Sequence, residues 1–93
     1  MAVMITVTIP GGTRELQQQM YDQVGDLIVE QEGFVFHSSG PVEGGWRLHE
    51  VWETRDQLDR WLNENIFPRM PDDAPRPEMD VEDLEFVIRP RRK

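Results

Sequence analysis

Hydrophobic residues alternate with polar ones over the first ten positions. Val3, Ile5, Val7 and Ile9 fall on one side and Met4, Thr6 and Thr8 on the other, the period of a β-strand with one apolar face. Pro10-Gly11-Gly12 ends it. Thr13 is placed to cap a helix whose first turn holds Glu15, favourable at the positive end of the helix dipole. Leu16, Met20, Val24, Leu27 and Ile28 then recur at helical spacing to about Glu32, and Gly33 suits the positive-φ turn that closes a helix. A second strand follows in GFVFHSSG, where regular alternation sets Phe34 and Phe36 against Val35 and His37. Residues 40–45, dense in glycine and proline, read as a hairpin connection into a third strand, GGWRLHEVW.

That third strand has no cleanly apolar face. Trp46, Leu48, Glu50 and Trp52 share one side, and Arg47, His49, Val51 and Glu53 the other. Thr54-Arg55-Asp56-Gln57 matches a capping box, starting a second helix with the stripe Leu58, Trp61, Leu62 and Ile66. Residues 68–80 carry four prolines and no period, which reads as an extended connection. Leu84–Ile88 reads as a short last strand stopped by Pro90, and the acids at Asp72, Asp73, Asp80, Glu82 and Asp83 read as solvated surface. The order β-α-β-β-α-β predicts an α+β, ferredoxin-like domain: a four-stranded antiparallel sheet with two helices on one face. It is expected to span residues 1–90 as one domain, followed by a basic tail at 91–93.

Ninety-three residues bury only about 60–65% of the surface that the unfolded chain exposes. No cysteine is present, so neither disulfides nor thiol chemistry can contribute. A sheet with one open face then points to a homodimer as the source of extra burial. Ten basic residues against eighteen acidic ones give a net charge of −8, and four of the ten lie in the last five positions. Residues 1–88 therefore hold six bases against eighteen acids, a surface that repels phosphate backbones and argues against a nucleic-acid partner. An RNA-recognition domain shares this element order, but strand three lacks the aromatic-and-basic signature that stacks bases. The apolar start has no charged leader and no window spans a membrane, so the expectation is a cytoplasmic protein with no membrane partner.

The run EVWETRDQLDRWL after a Gly-rich hairpin, within GFVFHSSGPVEGGWRLHEVWETRDQLDRW, resembles the dimeric α+β barrel superfamily that contains the antibiotic-biosynthesis monooxygenase-like domains. The resemblance covers residues 3–70, and the last strand fits it more loosely. It implies two sheets paired face to face in a homodimeric barrel, with a pocket between sheet and helices in each subunit. Haem-degrading members carry an Asn on strand one, a Trp on helix two and a haem-ligating His ten residues beyond. Trp61 matches the Trp, but Met4 and Pro71 stand at the other two positions, so the resemblance implies no haem cofactor here. Such a fold hosts many activities, so chemistry has to come from the site itself.

If Val42–Gly45 is a four-residue loop, Pro41 opposes Trp46, Ser39 opposes Leu48 and His37 opposes Glu50, within side-chain reach. Glu50 would orient His37 as a general acid or base near neutral pH. The pair is expected on the open sheet face, in the barrel interior, with Trp52, Thr6 and Thr8 beside it and Trp61 as a further wall. Ile5, Val7, Phe34, Phe36 and Val51 would then face the helices, with His49 turned to the helices or the rim. Two histidines without clustered ligands make no metal site. The combined reading is a dimer that binds a small apolar or aromatic metabolite without a cofactor. It is either a monooxygenase-like or isomerase/cyclase enzyme using His37 and Glu50, or a non-catalytic ligand-binding or accessory protein in which the pair only ties two strands.

Overall fold

β1 (Ala2–Pro10) and β3 (Gly45–Trp52) form the centre of the sheet in the computed structural model, which describes residues 1–91. β2 (Phe34–Val42) flanks β3 and β4 (Glu78–Leu84) flanks β1, giving the antiparallel order β2-β3-β1-β4. The ferredoxin-like α+β fold expected from the pattern is the fold observed. α1 (Arg14–Ile28) begins at Thr13, whose hydroxyl accepts from the Leu16 N–H, and α2 (Arg55–Trp61) begins at Thr54 with a complete capping box through Gln57. Both helices lie on one face of the sheet. Their buried residues Val24, Ile28, Leu58 and Trp61 pack on Val3, Ile5, Val7 and Trp52.

Register decides the rest. Ile5 lies opposite Glu50 and Val3 opposite Trp52, so the apolar side of β1 and the Glu50 side of β3 are the same, helix-covered face. This corrects the expected placement: the His37–Glu50 pair and Trp52 are under the helices, while Thr6 and Thr8 are on the open face as expected and Val51 is there with them. On β2, a β-bulge between Phe34 and Phe36 brings His37 to that same face. The extra residue, Val35, shifts the alternation, so Phe34 and His37 both turn inward and Phe36 turns outward, 46% exposed. Phe34 meets Trp52 with ring centroids 5.5 Å apart, and Trp52 meets Trp61 at 6.1 Å. The hairpin turn is two residues, Glu43 and Gly44, rather than four, and Gly44 takes a φ of 81°. The cross-strand partners are nonetheless those expected.

Three boundaries move. α1 stops at Ile28, and the turn after it ends at Gly33, with φ of 88°. The Gly33 carbonyl accepts from the Glu53 N–H at 2.8 Å, and Gly33 leaves the room that the Gln57 amide fills. Helix two continues past Trp61 as one π turn (Leu62–Ile66) and a 3-10 turn (Phe67–Arg69) that ends the helical run at Pro68 and Arg69. The last strand is not Leu84–Ile88 but β4 at Glu78–Leu84, starting directly after Pro77. Its Asp80, Glu82 and Asp83 are exposed as expected, but they stand on an edge strand, where charges discourage further pairing. No helix is long and apolar enough to cross a membrane among the described residues. Of the basic tail, Arg92 and Lys93 lie outside the described residues.

Leu58 is fully buried at the junction of α2 and the sheet. Leu58→Ala should lower stability by about 2–5 kcal/mol, a large share of the margin of so small a domain, read as a lower midpoint in urea denaturation.

Candidate functional site

Glu50 is 6% exposed and reaches two donors at once. Oε1 accepts from the Trp52 indole N–H at 3.0 Å, and Oε2 is 2.8 Å from His37 Nδ1. An indole N–H can only donate, and a carboxylate can only accept, so both of these bonds have a fixed direction. The other imidazole nitrogen, Nε2, lies 2.5 Å from the Tyr21 hydroxyl, which is also 2.6 Å from Ser39 Oγ. In a neutral ring with its proton on Nδ1, Tyr21 donates to Nε2 and accepts from Ser39. The Tyr21 and His37 rings meet edge to face at 5.2 Å. Trp52, Glu50, His37, Tyr21 and Ser39 thus form one continuous chain from the fully buried core to the exposed strand β2.

Each position follows from local structure. Alternation on β3 puts Glu50 and Trp52 on one side, and the bulge brings His37 to that side. Tyr21 is in helical phase with the buried residues of α1, Gln17, Val24 and Ile28, so its ring points to the sheet. Beside this chain lies a cavity of about 790 Å³, within the range usual for small-molecule pockets. Its walls are mainly apolar, drawn from α1, the sheet, the π turn and the proline-rich segment, with Val24, Ile28, Leu48, Ile66 and Met79 among them. Tyr21, His37 and Glu50 also line it, as does Trp61, whose buried indole N–H has no acceptor among the protein atoms. A π turn widens helical spacing to five residues, which lets Trp61 and Ile66 face the same space.

His37 and Glu50 are therefore in hydrogen-bond contact, and Trp61 is a cavity wall. Trp52 is not a wall: it is completely buried behind Glu50. Thr6 and Thr8 are across the sheet from the cavity, where Thr6 bonds His49 Nδ1 at 3.1 Å and Thr8 accepts from Arg47 at 3.0 Å. His49, expected toward the helices or rim, is consequently on the open face. The residue missed in the sequence is Tyr21, the only tyrosine; its signal was a hydroxyl-bearing ring at a stripe position four after Gln17 and three before Val24. No group of three or more His, Cys, Asp or Glu side chains is gathered to hold a metal among the described residues.

The chain is thus a ferredoxin-like α+β protein whose helix-covered sheet face holds an apolar cavity and a buried His–carboxylate pair. Comparison with solved structures finds the same fold in several proteins of low sequence identity. A variant of SnoaB, a cofactor-independent oxygenase from Streptomyces nogalater, superposes with a TM-score of 0.64 at 13% identity, covering 94% of this chain and 95% of that one. The haem degrader MhuD of Mycobacterium tuberculosis, with two haems bound in its active site, gives 0.62 at 15% identity over 95% and 99%. A Bacillus cereus protein assigned as an antibiotic-biosynthesis monooxygenase gives 0.57 at 19% identity over 100% of both chains. At these identities the likeness is one of fold. No protein-family model matches the sequence, and no curated protein matches it.

The two fixed donors on Glu50 make a sharp prediction for Glu50→Gln. The amide oxygen can keep Trp52, but its NH2 then faces His37, whose Nδ1 must become an acceptor. The variant should fold with the His37 proton moved to Nε2, seen in the imidazole nitrogen resonances. Retention of the proton on Nδ1 would contradict the bonding directions given above.

Proposed function

We propose that this chain is a cofactor-independent enzyme of the monooxygenase-like or isomerase/cyclase kind, acting on a small, largely apolar or aromatic metabolite. The observation that carries this is an apolar cavity ending at a His–carboxylate pair whose orientation is fixed. Glu50 holds the His37 ring in one tautomer and stabilises the imidazolium formed when the ring takes up a proton, which is what general acid–base work requires. Trp61 supplies an aromatic wall. The likeness of fold to a cofactor-independent oxygenase supports the same class. The residues do not fit haem: Pro71 lines the cavity where the resemblance puts the ligating histidine, His37 has both nitrogens engaged, and His49 is across the sheet.

A second reading, a dimer that holds a ligand without transforming it, is favoured by one observation: both nitrogens of His37 already bond to protein. The two separate on Glu50→Gln. An enzyme loses turnover and keeps ligand affinity, whereas a binder changes only in affinity or stability. Native mass spectrometry of protein purified without denaturation should show a bound small molecule that supplies the substrate for that assay.

The same reading takes the chain to be a homodimer, with the open face of the sheet covered by a second copy. Phe36 projects from that face, and beyond β4 Phe86 and Ile88 are 86% and 97% exposed, apolar area that a lone small domain keeps small. The Phe86-Ile88 alternation past the end of β4 is strand-like and has no partner strand among the described residues. Sedimentation should give twice the chain mass, with Ile88→Asp shifting it toward the monomer. A wild-type monomer at micromolar concentration would end the dimer reading.

A further inference from the structure

A base must have a free lone pair to take a proton, and His37 has none to spare. Nδ1 faces Glu50 Oε2 at 2.8 Å, and Nε2 faces the Tyr21 hydroxyl at 2.5 Å. Tyr21 is different. A phenol oxygen carries one proton and two lone pairs; it directs the proton to Nε2 and one lone pair to Ser39, and the second lone pair is uncommitted. Tyr21 also lines the cavity, while Ser39 does not. The bonding pattern has the form of a nucleophile–base–orienter triad, with a phenol in the first place, an imidazole in the second and a carboxylate in the third.

We propose, resting on the acid–base function above, that Tyr21 is the catalytic residue that meets the substrate, and that His37 and Glu50 act on the substrate only through it. The substrate class is a mainly apolar molecule that presents one acidic O–H or C–H. In the step, the substrate proton passes to the Tyr21 oxygen while the Tyr21 proton passes to His37 Nε2. The bonding pair of the broken O–H or C–H bond stays on the substrate as an anion. His37 becomes an imidazolium held by the Glu50 carboxylate, so net charge is unchanged and no electron is transferred. Tyr21 is suited to this place because α1 fixes it. Its ring is in phase with Val24 and Ile28 and packs edge-on against the imidazole, which keeps the oxygen at the boundary between cavity and relay.

The test uses para-nitrophenol, an apolar ring with one acidic hydroxyl whose anion absorbs visible light. Titrated into the wild-type protein near neutral pH, the bound probe should be more ionised than the free probe. In Tyr21→Phe, which removes one oxygen and leaves the cavity walls, the probe should still bind. Its ionised-to-neutral ratio should fall by about tenfold or more, the change that one unit of proton affinity gives. Ionisation undiminished in Tyr21→Phe would mean that His37 takes the proton directly, and would overturn the role of Tyr21 alone. A wild-type protein that fails to bind or to ionise the probe would overturn the acid–base function and this proposal together. Should the variant not fold, the wild-type imidazole resonances decide: addition of the probe should protonate Nε2, and an unchanged neutral ring overturns the proposal.

Discussion

A carboxylate buried under two helices has to be satisfied, and the site is organised around how Glu50 achieves this. Its two oxygens draw one donor from its own strand and one from the neighbouring strand. The Trp52 indole is thereby fixed in the core, where it meets both Phe34 and Trp61. The imidazole is fixed at the core boundary, where it meets Tyr21 of α1. An unpaired charge in the same place would cost several kcal/mol, on the order of what a domain of this size has to spare. The polar chain therefore ties β2, β3 and α1 together, and it does so whether or not any substrate is present.

The cavity arises from the way helix two ends. After Trp61 the chain makes a π turn and a 3-10 turn, then a proline-rich stretch that cannot continue a helix. Leu62, Ile66 and the prolines surround the cavity, and the apolar face of α1 closes the other side. Tyr21, His37 and Glu50 of the polar chain line this volume among walls that are mainly apolar.

Much of this was legible in the sequence. Strand one, both helix starts and the β-α-β-β-α-β order follow from period and capping residues, and the hairpin composition sufficed to bring His37 opposite Glu50. What was not legible follows from two physical facts. A bulge adds one residue without leaving a mark on composition, and Val35 reverses the faces expected of Phe36 and His37. Edge strands tolerate charge, so the acid-rich Glu78–Leu84 resembled solvated loop and the more apolar Leu84–Ile88 resembled the strand. Tyr21 is hidden in the sequence for a related reason. On an amphipathic helix a tyrosine at a stripe position looks like packing, and only the register of the opposing strands reveals that its oxygen meets an imidazole.

The turn at Gly33 bears on how this sequence can vary. Its carbonyl receives the backbone of Glu53, and the space where its side chain would be holds the amide of Gln57, which caps α2. Residues from either side of the hairpin are thus interlocked at the entrance to the helix that carries Trp61. Positions 33 and 57 are not independent: a side chain at the first requires a smaller partner at the second, and the helix then loses half of its capping box. The pair should drift together or stay fixed, although neither residue touches the cavity whose wall they hold in place.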